Sequence, residues 1–223
     1  MGFRHECKHE ISLCDLMVLR RRLRAVMTPD LHGKDGVYRV RSLYFDNGTD
    51  KVLREKLDGC NEREKFRIRC YDLDPGLIRL EKKIRRSGLG RKDYAILSSG
   101  EVTMIRDGEW EWMEHDRRPL VRELYGKMLS QGLRPRTIVD YTREAFVFGP
   151  GNVRVTLDYD IRTGLYATDF LDPGCVTIPA GDGPIILEVK WDEFLPDLIR
   201  DLVRLDGRRT GAFSKYAICR MYD

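Results

Sequence analysis

Residues 63–86 read REKFRIRCYDLDPGLIRLEKKIRR, and within them residues 65–71 and 77–85 each alternate apolar and charged side chains. Side chains on a β-strand point to opposite faces with a period of two, so this alternation predicts two strands with one apolar and one charged face each. The charged face of the first strand carries Lys65, Arg67 and Arg69. That of the second strand carries Arg79, Glu81, Lys83 and Arg85. On one hairpin such a charged face is usually just solvated. Like charges that face each other across neighbouring strands destabilise a sheet, so the same pattern on several strands would call for an anionic partner.

The connection between the two strands contains Pro75 and Gly76. Proline presets φ for the second position of a type II turn, and glycine accepts the positive φ of the third. The pair therefore predicts a β-hairpin with its turn at residues 75–76.

Composition indicates a globular chain of 223 residues with 42% hydrophobic and 34% charged residues. The formal net charge is only +4, so basic character is local. No apolar run is long enough for a membrane span, and the first residues lack the apolar core of a signal peptide. The six cysteines have no metal-ligand spacing. We expect a cytoplasmic protein with free thiols and no zinc site.

The same alternation recurs along the chain, and helical periodicity separates some of the strands. Further strands are predicted at residues 3–11, 37–46, 137–148, 153–161 and 185–191. Helices are predicted at residues 12–27, 49–57, 119–131 and 196–205, and a terminal helix begins near Ser214. On the strand at 37–46 both faces carry polar groups, so the sequence leaves open which face joins the cationic one.

Residues 88–133 differ in character and contain Trp110 and Trp112. Large aromatic side chains dominate protein cores, so packing beneath helices is favoured over stacking on a base. We predict that residues 1–223 form a single domain and that residues 88–133 are a helical insertion against one side of its sheet.

About eight strands with this pattern predict an α+β fold, an eight-stranded antiparallel barrel with flanking helices. The amphipathic helices must cover apolar surface, so we place the apolar strand faces outside, beneath the helices, and the charged faces inside. The interior would then hold Glu6, Lys8, Lys65, Arg67, Arg69, Glu81, Lys83, Arg143, Arg154, Asp158, Glu188, Lys190 and Lys215.

So many buried charges require water and a ligand, since burial of an unpaired ion costs several kcal/mol. Arginine binds phosphate oxygens bidentately and lysine acts as a point charge, so a compact polyanion such as a triphosphate or polyphosphate fits this interior. Glu6, Glu81 and Glu188 have two open interpretations. They either pair with the bases, or supply oxygen ligands for Mg²⁺ or Mn²⁺ together with substrate phosphates.

Several motifs, taken in order, resemble the catalytic domain of the vacuolar transporter chaperone (VTC) polyphosphate polymerases, which are triphosphate tunnel metalloenzymes. The motifs are Arg4-x-Glu6-x-Lys8, Ser42-Leu43-Tyr44-Phe45-Asp46-Asn47, Lys65-x-Arg67-x-Arg69-x-Tyr71, Glu81-x-Lys83, Asp140-Tyr141-x-Arg143, Arg154-x-Thr156-x-Asp158, Glu188-x-Lys190 and Ser214-Lys215-Tyr216. The resemblance spans essentially the whole chain, and it implies an eight-stranded antiparallel β tunnel barrel.

The resemblance also implies an activity, the transfer of the γ-phosphate of ATP to a growing polyphosphate chain with Mn²⁺ or Mg²⁺. It implies a catalytic set of Lys8, Arg67, Arg69, Lys83, Arg143, Arg154 and Lys215. Substrate would also contact Lys65, Glu81, Lys190 and Tyr216. Glu188, together with Glu6, would bind the metal. No general base is expected, because a phosphate terminus is already an anionic nucleophile.

One departure concerns Arg4. The CYTH branch of triphosphatases and class IV adenylyl cyclases begins with Glu-x-Glu-x-Lys, and here an arginine replaces the first glutamate. The change removes a carboxylate that could help to hold a second metal and activate water. It favours polymerisation over hydrolysis.

Two other functions stay open. The first is a tripolyphosphatase or nucleoside triphosphatase that uses the same tunnel. The second is a non-enzymatic module that binds polyphosphate or single-stranded nucleic acid, in which aromatic rings would stack on bases. The aromatic residues are not interleaved regularly on the basic face, so we expect no nucleic-acid partner. The resemblance implies ATP and polyphosphate as partners instead.

Overall fold

The structure is a computed structural model, and it describes residues 4–86, 89–205, 207, 211 and 213–221. Phe3 and residue 88, at which two predicted segments begin, lie outside these residues. The strands are β1 (His5–Ile11), β2 (Thr28–Pro29), β3 (Val37–Asp46), β4 (Arg63–Tyr71), β5 (Ile78–Arg86), β6 (Leu89–Leu97), β7 (Arg134–Phe148), β8 (Val153–Thr163), β9 (Ile178–Pro179) and β10 (Ile185–Trp191). The helices are α1 (Leu13–Val26), α2 (Lys51–Leu57), α3 (Ser99–Asp107), α4 (Pro119–Gln131), α5 (Asp197–Leu202) and α6 (Lys215–Cys219).

The long strands form one antiparallel sheet in the order β1-β10-β8-β7-β3-β4-β5-β6. The two short strands lie off this path, β2 beside β7 and β9 beside β8. The predicted tunnel fold is confirmed. Within the described residues no backbone ladder joins β1 to β6, but the sheet curls until Lys83 Nζ on β5 lies 3.4 Å from Glu6 Oε2 on β1. Side chains therefore approach each other across the gap that the ladder leaves.

The convex face of the sheet is apolar and lies beneath helices, as predicted. On one half, buried residues of α1 and α5 pack on β7, β8 and β10. These include Leu19, Leu23 and Ile199 from the helices and Val155, Leu157, Leu187 and Val189 from the strands. On the other half, buried residues of α3 and α4 belong to one apolar cluster with Leu43, Ile68 and Leu80 of β3, β4 and β5.

The predicted insertion begins later than expected. Residues 89–97 form β6, which pairs with β5 along its whole length, so only the segment after it covers the sheet. Both tryptophans of that segment pack against the apolar cluster, and Trp110 Nε1 donates a hydrogen bond to the carbonyl of Ile105 at 2.9 Å. The charged residues of β6, Arg91, Lys92 and Asp93, are consecutive and do not alternate with apolar ones, so the strand was not recognised in the sequence.

The faces of β3, which the sequence left open, are assigned by register. Ser42 pairs with Arg69 and Tyr44 pairs with Arg67, so these residues share the concave face. Arg41 lies on the convex face and is fully buried. Its guanidinium donates to both carboxylate oxygens of Asp140, with Nε 2.9 Å from Oδ1 and Nη2 2.9 Å from Oδ2.

Asp46, at the end of β3, joins three elements. Its carboxylate accepts hydrogen bonds from the backbone amides of Val52 and Leu53 at the start of α2, at 2.9 and 3.1 Å. It also accepts one from the hydroxyl of Tyr216 on α6 at 2.6 Å. Asp46 thereby fixes α6 and α2 at the same end of the sheet.

The hairpin between β4 and β5 is confirmed, but its turn differs from the prediction. The residues with positive φ are Asp72 (49°) and Leu73 (58°), and Gly76 is not among them. Two hydrogen bonds hold Asp72 to β3, because its amide donates to the Arg39 carbonyl at 2.9 Å and its carboxylate accepts from the Arg39 amide at 2.7 Å. The chain therefore turns directly after β4.

None of the helices in the described ranges has the length and apolar composition needed to cross a bilayer.

Substitution of Leu19 by Ala should lower the free energy of unfolding by about 2–5 kcal/mol, because it opens a cavity between α1 and the convex face. Leu13→Ala on the same helix is the control, since the Leu13 side chain is 64% exposed, whereas Leu19 is fully buried. We expect a change within about 0.5 kcal/mol for the control. Urea denaturation measures both, and equal small losses would contradict helical cover on the apolar face.

Candidate active site

The concave face of the sheet forms a charged channel, which we define by its residues. Its cations are Lys8, Lys65, Arg67, Arg69, Lys83, Lys92, Arg143, Arg154, Lys190 and Lys215. Its carboxylates are Glu6, Glu81, Asp158 and Glu188. Register places the strand residues on one face, because directly paired residues of an antiparallel sheet point the same way, and Lys215 of α6 joins them through its contact with Asp158. The cations outnumber the carboxylates.

Glu81 on β5 is the first of three anionic centres in the channel. Arg67 Nη2 lies 2.6 Å from Glu81 Oε2, and Arg69 Nη1 lies 3.7 Å from the same oxygen. Lys92 of β6 pairs with the other oxygen. Burial raises the pKa of Glu81, but the nearby guanidinium groups of Arg67 and Arg69 outweigh it and hold the pKa well below its usual range. The carboxylate therefore stays ionised and fixes both arginines in place.

Polar side chains of β3 and β7 complete the surroundings of these two arginines. Arg67 Nη1 donates to the hydroxyl of Tyr44 at 2.9 Å. Arg69 donates to Ser42 Oγ and to the hydroxyl of Tyr141, each at 3.1 Å. The guanidinium planes are thus oriented by neutral oxygens as well as by the carboxylate.

Asp158 on β8 is the second anionic centre. Arg143 makes a bidentate pair with it, both contacts at 2.7 Å, and Lys215 Nζ of α6 lies 2.7 Å from Oδ2. Burial raises the pKa of Asp158, but the positive charges of Arg143 and Lys215 outweigh burial and lower the pKa to about 2. Asp158 therefore brings a residue of the C-terminal helix into the channel, at the position the sequence predicted for Lys215.

Glu6 and Glu188 form the third centre, on β1 and β10. Lys8 Nζ lies 2.9 Å from Glu6 Oε1 and 3.2 Å from Glu188 Oε1. Lys190 Nζ lies 3.2 Å from Glu188 Oε2 and 3.6 Å from Glu6 Oε2. Burial and mutual repulsion raise the pKa of Glu6, and burial raises that of Glu188, yet the neighbouring lysines lower both.

These two carboxylates were the predicted metal ligands. No group of three or more His, Cys, Asp and Glu side chains suited to a metal is present among the described residues. Mg²⁺ commonly binds through one or two carboxylates plus substrate phosphates, so this pair fits a metal that arrives with a phosphate ligand. Lys8 and Lys190 would then exchange their carboxylate contacts for phosphate contacts.

Arg154 and Tyr216 stand somewhat apart from the three centres. Arg154 on β8 pairs with Asp30 and donates to the hydroxyl of Tyr38 at 2.8 Å. Tyr216 stacks on Tyr44 with ring centroids 4.9 Å apart. Its hydroxyl donates to Asp46, so Tyr216 supports the channel from the α6 side.

Several cations face each other directly. Lys65 on β4 pairs with Lys83 on β5, and Lys83 pairs with Lys92 on β6. Burial lowers the pKa of Lys65 to about 7, with Lys83 adding to the shift. Burial, and then Lys8, lowers the pKa of Lys83 to about 8. Unlike the arginines at Glu81, Lys65 forms no ion pair in the part of the chain that the structure describes; its ammonium lies 5.3 Å from the centre of the Tyr44 ring.

Sequence reasoning named every residue of this channel except Lys92, and it left Asp158 without a role. Lys92 was missed because β6 was assigned to the insertion. The hydroxyls of Tyr44 and Tyr141 were missed as well, although both belong to quoted motifs. Arg4 is directed away from the three centres, with Nε 2.7 Å from Asp192 Oδ1 near the end of β10. Arginine at this position therefore adds neither a carboxylate nor a direct contact to the metal-ligand pair.

Comparison with known proteins assigns the family. A family profile described as the VTC domain matches residues 3–222. No curated protein matches the sequence.

Among solved structures, the PH1012 protein of Pyrococcus horikoshii OT3 is 9% identical, with 96% of this chain and 98% of that chain covered and a TM-score of 0.51. A candidate adenylate cyclase of Bacillus halodurans is 14% identical, with 85% and 82% covered and a TM-score of 0.48. At such identities the likeness concerns the fold alone.

Asp158→Asn should lower the free energy of unfolding at pH 6 by about 2–3 kcal/mol, because it leaves Arg143 and Lys215 without their counter-charge. The folded pKa of Asp158, about 2, lies below the usual value of 3.8. The contribution of this carboxylate is therefore complete above about pH 4 and is lost as the pH falls through about 2. Urea unfolding from pH 6 to 2.5 should show the gap between parent and variant closing with acid.

The matched control is Asp197→Asn, whose side chain is 79% exposed. It should not change stability measurably at any pH in the series. A gap for Asp158→Asn that stays constant with pH would show that the carboxylate is not ionised against these bases.

Proposed function

Because the chain belongs to the VTC domain family, we propose that it is a polyphosphate polymerase, which transfers the γ-phosphate of ATP to a growing polyphosphate chain. The observation that carries this proposal is the excess of cations over carboxylates on the concave face. Opposed pairs such as Lys65 and Lys83 raise the energy of the empty channel, and a polyanion would relieve it.

Arginine contributes geometry to this site. Arg67, Arg69 and Arg143 are each anchored by a carboxylate, so their positions are set before substrate arrives. A preorganised guanidinium costs no reorganisation when negative charge develops on the transferred phosphoryl group. Phosphoryl transfer depends mainly on such positioning and charge stabilisation.

Lysine contributes adjustable charge. Lys65 and Lys83 have lowered pKa values, so part of the lysine charge is absent at neutral pH and returns when phosphate binds. Lys215 lies on α6, next to Arg143, where it would contact the phosphoryl group or the acceptor chain. The acceptor terminus is itself anionic, so no side chain is assigned as a general base.

Glu188 and Glu6 would hold Mn²⁺ or Mg²⁺ together with phosphate oxygens. When bound, the ion supplies neutralisation of the β- and γ-phosphate charge. Lys8 and Lys190 contact both carboxylates in the empty site, and on binding they would exchange these contacts for phosphate oxygens. A cytoplasmic location stays a prediction.

Incubation with ATP and Mn²⁺ should yield ADP and a ladder of polyphosphate chains on an acrylamide gel. Orthophosphate without polymer would instead identify a triphosphatase that uses the same channel. Tight binding of polyphosphate without turnover of ATP would identify a non-enzymatic module. Either of these outcomes overturns the polymerase proposal.

Arg67→Ala should reduce polymer synthesis by about 100-fold or more, as expected when a fixed donor to the transition state is removed. Arg21→Ala on the exposed side of α1 is the control, and it should retain full activity. Arg67→Ala also removes a partner of buried Glu81, so its melting temperature is measured alongside. A folded variant that keeps parental activity would show that Arg67 does not act on substrate.

A further inference from the structure

One end of the channel opens into a cavity of about 350 Å³. It lies where β4 begins and β5 ends, between α2 and the residues Gly211, Phe213, Ser214 and Tyr216. Its basic lining consists of Lys8, Lys56, Arg63, Lys65, Lys83 and Arg85. Three of these, Lys56, Arg63 and Arg85, belong to none of the motifs above and have no role at the three anionic centres.

Arg63 and Arg85 extend the cationic face of the hairpin by one more row. Arg63 pairs directly with Arg85, as Lys65 pairs with Lys83 in the next row. Alternate residues of a strand are about 6.6 Å apart, so the cations from Arg63 to Arg69 follow β4 for about 20 Å. The cationic surface is therefore a continuous line from the anchored arginines at Glu81 to the mouth of the channel.

This outer row lacks the carboxylates that fix the inner one. Within the described ranges neither Arg63 nor Arg85 forms an ion pair, and Arg63 donates to the backbone carbonyl of Cys60 at 2.7 Å. Two carboxylates line the cavity, but Glu6 is engaged by Lys8 and Glu64 by Lys82 at 2.7 Å. The guanidinium groups of Arg63 and Arg85 are thus available to an anion.

The electrostatics agree with this geometry. Burial lowers the pKa of Lys56, and Arg63 and Arg85 lower it further. Burial lowers the pKa of Arg63 as well, with a second contribution from Arg85. Lys56 faces this row from α2, so cations from a helix and from two strands converge on one cavity.

We propose that Lys56, Arg63 and Arg85 form an extension subsite, which binds phosphates of a polyphosphate chain beyond those held in the channel at Arg67 and Arg69. The inference rests on the proposed function and adds the direction in which the polyphosphate chain extends, from Arg69 toward Arg63 along β4. At the opposite end of β4 and β5, the guanidinium of Arg79 lies over the rings of Tyr71 and Tyr94, at 5.9 and 5.5 Å from their centres. A chain of phosphates is matched by the cationic end and not by the aromatic one.

The test compares a short and a long ligand on the same variant. Arg63→Gln combined with Arg85→Gln should weaken binding of long-chain polyphosphate by about tenfold, since two charged phosphate contacts are lost. Binding of tripolyphosphate, which the inner row accommodates, should change by less than about twofold. Isothermal titration calorimetry of the full chain, at one fixed salt concentration, measures both affinities.

The control carries the same change of charge elsewhere. Arg21→Gln combined with Arg22→Gln, both on the exposed side of α1, should leave both affinities unchanged. Equal losses for the short and long ligands would overturn the extension subsite, and so would no loss for the long one. A single-stranded oligothymidylate that binds the parent as tightly, and loses as much in the variant, would show a general polyanion surface and also overturn it.

Failure of the proposed function gives a different result. If the parent protein bound neither tripolyphosphate nor long-chain polyphosphate, the channel assignment itself would be wrong. If the parent bound both and only the predicted difference were missing, the channel would stand and the extension subsite would not. The double substitution removes the repulsion between the directly paired Arg63 and Arg85, so the variant should melt no lower than the parent.

Discussion

Partial neutralisation of buried cations is the constraint on which this structure depends. A single carboxylate, Glu81, accepts contacts from two arginines and a lysine, and it lies almost fully buried on the concave face. An ion buried without a partner costs several kcal/mol, so the sheet can curl around its charges only if such centres exist. Asp158 and the pair Glu6 and Glu188 repeat the solution on the other side of the channel. Where a carboxylate is missing, as at Lys65, the lysine loses proton affinity instead.

The same arrangement links fold to function. Helices α1, α3, α4 and α5 cover the convex face, and the concave face carries the charged channel, into which Lys215 of α6 reaches. Asp46 couples that entry to the sheet, because it binds the hydroxyl of Tyr216 while its carboxylate also caps α2. Tyr216 is therefore positioned by the end of strand β3. Lys215, one residue earlier, reaches Asp158 as a consequence.

Much of the fold could be predicted from sequence because the strands alternate so regularly. Strand β3 was predicted at residues 37–46 and helix α4 at residues 119–131, as the structure has them. The channel residues followed from the same period of two. The failures have physical causes. Strand β6 contains Gly90 and three consecutive charged residues, Arg91 to Asp93, and therefore lacks the alternation that marks the other strands. The turn at Asp72 depends on hydrogen bonds to Arg39 on another strand. Pairing among charges was also not predictable, because it depends on which strands become neighbours.

The central claim is that the concave face holds a chain of phosphates. A crystal structure with tripolyphosphate tests it most directly. The account predicts a phosphate chain between β4 and β8, with Arg67, Arg69 and Arg143 within hydrogen-bond distance of its oxygens. Tripolyphosphate bound only on the outer surface, with the three arginines contacting none of its oxygens, would contradict it.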